Sequence, residues 1–123
     1  MSLGRIRGYQ DLHAWQKAME LADETLSLAE HLSHPSRWGL ADQLRRAAIS
    51  VPANIAEGYG RRYRGDYIRF LAIANGSLRE LETLLLLVQR RAMAPEEPQE
   101  KALAVADEVG RLLTALHRSL VRK

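Results

Sequence analysis

The chain has 123 residues, 46% hydrophobic and 27% charged, a size that folds as one domain around its own core without a covalent staple. It contains no cysteine, which excludes a disulfide scaffold, a thiol nucleophile and cysteine-held metal centres. The formal net charge is +3 and it is unevenly spread: residues 37–91 carry ten arginines against five acids, whereas residues 1–36 sum to −2 and residues 92–123 to zero. No apolar run is long enough to span a membrane, and the opening residues have no signal-peptide character. A cytoplasmic protein is therefore expected, with a basic middle segment that is either a solvated face or a surface for phosphates.

Leucine (20) and alanine (17) dominate the composition, both are strong helix formers, and no segment shows sustained strand-like alternation. The expected class is all-α. The first helix is expected over about residues 11–31, capped by Asp11. Leu12, Trp15, Met19, Ala22, Leu26 and Ala29 form one seam, and Ala14, Ala18, Leu21, Leu28 and Leu32 form a second beside it. Two seams make an apolar face wider than one neighbouring helix covers. Pro35 interrupts the chain, Ser36 can cap, and the second helix is expected over 37–59 on Leu40, Leu44, Ala47, Val51 and Ile55. Pro52 lies inside that pattern, where loss of a backbone donor predicts a kink rather than a break.

After Gly58-Tyr59-Gly60, with a glycine expected to stop the second helix, the third helix is expected over 66–91. Tyr67, Leu71, Ala74, Leu78, Leu81, Leu85 and Val88 keep helical spacing along it. The run Leu84 to Val88 is apolar on every face, so it needs more than one partner. The fourth helix is expected over 97–121, led by acidic residues that suit a helix start. Short connections predict an antiparallel up-down-up-down four-helix bundle as a single domain over 1–123. Surplus apolar stripes on the first and third helices predict a homo-oligomer with cyclic symmetry, a ring.

The distinctive stretches are QLRRAAISVPANIAEGYGRR over residues 43–62 and YIRFLAIANGSLRELET over residues 67–83, with LHAWQKAMEL over 12–21 before them. Together they resemble the four-helix-bundle protein family encoded within intervening sequences of bacterial large-subunit ribosomal RNA genes. The resemblance implies an antiparallel four-helix bundle assembled as a homopentamer. It also implies kinship with the accessory variability protein of diversity-generating retroelements, a basic pentameric barrel that binds nucleic acid. The chain departs from the family's usual Ala-Arg-Gly-Ser at Ala74-Asn75-Gly76-Ser77.

Within those stretches, Asn54 with Glu57 and Ser77 with Glu80 are i, i+3 pairs. They are expected to meet, with Arg45 or Arg46, as a polar network that fixes helix register. The same residue types serve acid–base catalysis, but no nucleophile or electrophile accompanies them, so no catalytic residues and no enzyme are expected. His13, His31, His34 and His117 are scattered and no Glu-x-x-His pair occurs, so neither a metal nor a cofactor is expected. The expected function is non-enzymatic binding of nucleic acid, RNA before DNA, through phosphate contacts from Arg45, Arg46, Arg61, Arg62, Arg64 and Arg69. The alternative is a scaffold or adaptor ring that presents a surface to a protein partner.

Overall fold

The computed structural model describes residues 5–122. Helix α1 spans His13–Ala29, α2 Trp38–Tyr59, α3 Arg64–Arg90 and α4 Glu96–Val121. Single 3-10 turns at Tyr9–Asp11 and Pro35–Arg37 precede α1 and α2, and there is no strand among the described residues. Among the described residues no helix is long and apolar enough to cross a membrane.

The helix ends differ in detail from the sequence expectation. Asp11 does not cap α1; its carboxylate accepts the Arg7 backbone N–H at 2.9 Å and closes the preceding turn. Leu12, in extended conformation, occupies the cap position. At the other end the amides of Glu30, His31 and Leu32 reach back three residues rather than four, the tightening common to a final turn. Ser36 is not the cap of α2 either. Its amide donates to His34 Nδ1 at 3.1 Å within the Pro35–Arg37 turn, and Arg37 stands at the cap.

Helix α2 continues through Pro52 without a break, and the proline ring is buried. Gly60 follows α2 with φ −77°, so no left-handed glycine stops this helix. Among the described residues the left-handed one is instead Ala92, at φ 50°. There the Met93 amide donates to Val88 O at 3.0 Å and the Ala92 amide to Gln89 O at 3.1 Å, the paired bonds of a Schellman stop after α3.

Each helix has two neighbours: α1 packs on α2 and α4, and α3 packs on α2 and α4. The second apolar seam of α1 lies wholly in the core, with Leu21 and Leu28 fully buried in one cluster with Leu44, Ile55, Leu78, Leu81 and Leu85, and Leu12, Ala22 and Ala29 of the first seam join it. Alanines 14, 18, 41, 47 and 48 are also buried, and small side chains there let helix axes approach closely. Cross-helix pairs fix the register. Ser50 Oγ meets Ser77 Oγ at 2.7 Å between α2 and α3. Lys17 meets Glu108 at 3.6 Å and Lys101 meets Glu24 at 3.1 Å between α1 and α4.

The first seam of α1 stays partly outside. Met19 is 45% exposed, beside Leu26 on the same helix and Ile49 of α2 at 51%. These three and Pro52 line an open apolar groove between α1 and α2. On α3, Leu85 and Val88 are buried but Leu86 and Leu87 face outward. The run Leu84 to Val88 is therefore not enclosed within one chain.

Candidate nucleic-acid interface

The α2–α3 junction gathers four of the six arginines that the sequence singled out. Arg61 and Arg62 follow α2, Arg64 opens α3, and Arg69 lies one and a half turns further on. All four are exposed. The guanidinium carbons of Arg61 and Arg69 sit 4.6 and 4.7 Å from the ring centroid of Phe70, so both cations contact one aromatic ring. Sharing that ring keeps the two charges within about 9 Å of each other, a separation comparable with the Debye length of about 8 Å at physiological salt. Arg61 also approaches Glu57 at 3.4 Å, an exposed pair of little energetic weight. Arg62 and Arg64 form no ion pair among the described residues.

Glycine explains why this junction is tight. A Cβ on Gly58 would stand 2.8 Å from Phe70 Cβ and 3.3 Å from the Tyr67 carbonyl oxygen. The last turn of α2 therefore rests directly on the first turns of α3, and Phe70 is pinned beneath the arginines. Tyr59 and Tyr67 meet edge to face across the same joint, with centroids 6.0 Å apart. Burial pushes the Tyr67 phenol up to about 12. Tyr59 and Tyr67 are thus occupied in covering the helix joint, while Tyr63 is 65% exposed and free to meet a ligand.

Two further segments reach the same end. A cleft between α3 and α4 is lined by Leu71 and Ala72 on one side and by Leu113, Thr114 and His117 on the other. The final turns of α4, with exposed Arg118 and Arg122, consequently lie beside the first turns of α3. The Tyr9–Asp11 turn packs on α1 and α2, and exposed Arg7 is tied to it through Asp11. The sequence reading missed the contribution of Arg118 and Arg122, because it summed charge along the chain rather than along the bundle axis. Arg61 and Arg118 also complement the negative carbonyl ends of α2 and α4.

Arg45 and Arg46 do not belong to this cluster. Arg45 pairs with Asp42 at 3.2 Å, and fourteen residues of helix place it about 21 Å from Tyr59 at ~1.5 Å per residue. The expected polar network is likewise only half assembled. Asn54 Nδ2 donates to Ser50 O at 2.8 Å and lies 2.9 Å from Ser50 Oγ, which in turn meets Ser77. Glu57 and Glu80 are exposed and lie outside it. Ser50 takes their place. Glu57 lies on the same stripe of α2 two turns beyond Ser50, and its carboxylate pairs with Arg61 at 3.4 Å instead. No cluster of His, Asp or Glu suited to a metal ion occurs among the described residues.

Residues 10–115 match the protein family described as 23S rRNA-intervening sequence protein. Among solved structures, the chain is similar to a crystal structure from Bacteroides thetaiotaomicron of a protein of unknown function from the S23 ribosomal protein family. That match has a TM-score of 0.78 and 27% identity, and covers 85% of this chain and 97% of that one. No curated protein matches the chain.

Proposed function

The chain belongs to the 23S rRNA-intervening sequence protein family, and from that starting point we propose that it is a non-enzymatic, self-associating nucleic-acid-binding protein of the cytoplasm. The observation that carries this reading is the basic end of the bundle. Arg61, Arg62, Arg64 and Arg69 converge there from the α2–α3 junction, and Arg118 and Arg122 join them from α4. Guanidinium groups make planar, bidentate contacts to phosphate, and exposed arginines with few acidic partners keep that capacity. The family description refers to large-subunit ribosomal RNA, so structured RNA is the first ligand to test.

The ring is part of the same proposal. The Ser50–Ser77, Lys17–Glu108 and Lys101–Glu24 pairs support an antiparallel up-down-up-down order. The uncovered Met19–Leu26–Ile49 face supports self-association, since soluble monomers rarely leave contiguous apolar patches open. Cyclic assembly, a pentamer as the resemblance implies, would repeat the arginine end around one axis and multiply its field.

Titration of the purified protein against labelled structured RNA, single-stranded RNA and duplex DNA tests the reading. Binding at micromolar protein that weakens when Arg62 and Arg64 are changed to Ala supports it. Absence of binding at low salt by a folded oligomer contradicts it. In that event the second reading, a protein-binding scaffold, takes over; outward-facing Leu86 and Leu87 are the feature that favours it.

A further inference from the structure

The groove between α3 and α4 has a division of labour that the charge count does not reveal. At its lower part, toward the basic end, lies a cleft of about 260 Å³ with walls of Leu71, Ala72 and Leu113 and the polar side chains of Asn75, Thr114 and His117. Next to it is a cleft of about 400 Å³ lined by Arg79, Arg111 and Arg118. Arg79 borders both and forms the bar between them. Gly110 lets it lie close against α4: a Cβ there would stand 3.3 Å from Arg79 Nη2, so the guanidinium would have to give by a few tenths of an ångström.

An apolar slot with a few polar edges beside a cluster of arginines matches a nucleotide, whose base is flat and largely apolar on its faces and whose phosphate is anionic. The two clefts together fall in the range of small-molecule sites, roughly 300–1,000 Å³. We propose that this groove seats one nucleotide, with the base between Ala72 and Leu113 and the phosphate on Arg79, Arg111 and Arg118. The existing partners of these arginines do not prevent it. Arg111 pairs with Asp107 at 3.0 Å and Arg79 pairs with Glu82 and Asn75, all exposed i, i+3 or i, i+4 contacts worth about 0.2–0.5 kcal/mol. A bidentate phosphate contact is stronger than these. Arg118 forms no ion pair among the described residues. Asp107 also lines the phosphate cleft, where Arg111 offsets its charge.

The inference deepens the nucleic-acid reading, from electrostatic contact at the basic end to the holding of a single unit along the side of the bundle. The nucleotide can be free or can be one unstacked residue of a strand. Isothermal titration with adenosine and uridine 5′-monophosphates, and anisotropy of a labelled eight-nucleotide single strand, separate the two sources. Both are read on the full chain. Ala72→Trp closes the base slot, and Arg111→Ala and Arg118→Ala strip the phosphate side; all three positions are exposed, and circular dichroism checks the fold. Loss of one charge-assisted contact predicts about tenfold weaker binding for each arginine variant. An R61A/R62A/R64A variant keeps its mononucleotide affinity while losing strand affinity. Mononucleotides that bind and compete with the strand identify a free nucleotide; a strand that binds alone, and is weakened by Ala72→Trp, identifies a nucleotide within a chain. Binding unaltered by Ala72→Trp and Arg111→Ala overturns the groove while leaving the basic end standing, and so does a wild-type protein that binds the strand but is affected only by the R61A/R62A/R64A changes.

Discussion

Gly58 and Phe70 are in direct contact across the α2–α3 joint: a methyl group on residue 58 would lie 2.8 Å from Phe70 Cβ. No native pair of carbons is that close, so the α2 terminus can approach α3 only because residue 58 has no side chain. The same contact sets Phe70 under Arg61 and Arg69, which links the packing of the joint to the placement of the charges.

Gly58→Ala therefore destabilises the fold despite the better helix propensity of alanine. Overpacking of this kind costs about 1–3 kcal/mol, against a propensity gain near 1 kcal/mol. Thermal denaturation should show a net loss, with weaker nucleic-acid binding at temperatures where the variant is still folded. An unchanged or higher melting temperature would mean that the joint relaxes freely.

Ala92→Gly has the opposite sign. Ala92 holds φ 50° in the Schellman stop after α3, a conformation that costs an L-residue about 1–2 kcal/mol and glycine little. Part of that gain is offset by the greater freedom of glycine in the unfolded chain. A rise in melting temperature of a few degrees is expected, and a fall would show that the methyl group of Ala92 makes a contact worth more than the strain.

High pH should loosen the same joint through Tyr67. Burial holds its phenol at about 12 in the folded protein, above an ordinary value of 10.0. The unfolded chain therefore loses its proton first, and stability present below pH 10 declines between about pH 10 and 12. For a half-buried ring the loss is on the order of 1 kcal/mol after allowance for solvent screening. Tyr67→Phe should remove this part of the alkaline decline in a series of thermal melts; an identical decline in the variant would assign it to other groups.

Much of the fold was legible in the sequence, because helical spacing is a local property. The series from Tyr67 to Val88 and that from Ala102 to Leu113 mark their helices, and the second seam of α1 is buried along its whole length. The site was less legible. Which arginines meet depends on helix rise and on which helix ends are adjacent, so the distance of Arg45 from the junction and the approach of Arg118 and Arg122 to it are visible only in the fold. Ser50 links Asn54 to Ser77, while Glu57, on the same stripe two turns on, pairs with Arg61; which polar side chains meet depends on the level at which the helices face each other. Gly58 looked like a helix stop; its role becomes visible only once Phe70 is packed against it.

The open α1–α2 face predicts the result of its own disruption. Met19→Lys with Ile49→Glu places two charges on a surface that is already partly wet, so the helical content of the chain should be unchanged. In light scattering at micromolar protein the mass should fall toward that of one subunit. A mass equal to that of the unaltered protein would move the subunit contact elsewhere, with Leu86 and Leu87 the next surface to change.

The central claim, that the arginine end binds phosphates, is tested most directly by the salt dependence of RNA affinity. For a single strand, log affinity falls against log salt with a slope of about −0.7 per phosphate neutralised. The unaltered protein should show a steep line, and R61A/R62A/R64A should flatten it by about 2 units, three contacts' worth, with the oligomer intact. The same slope in both proteins would contradict the account.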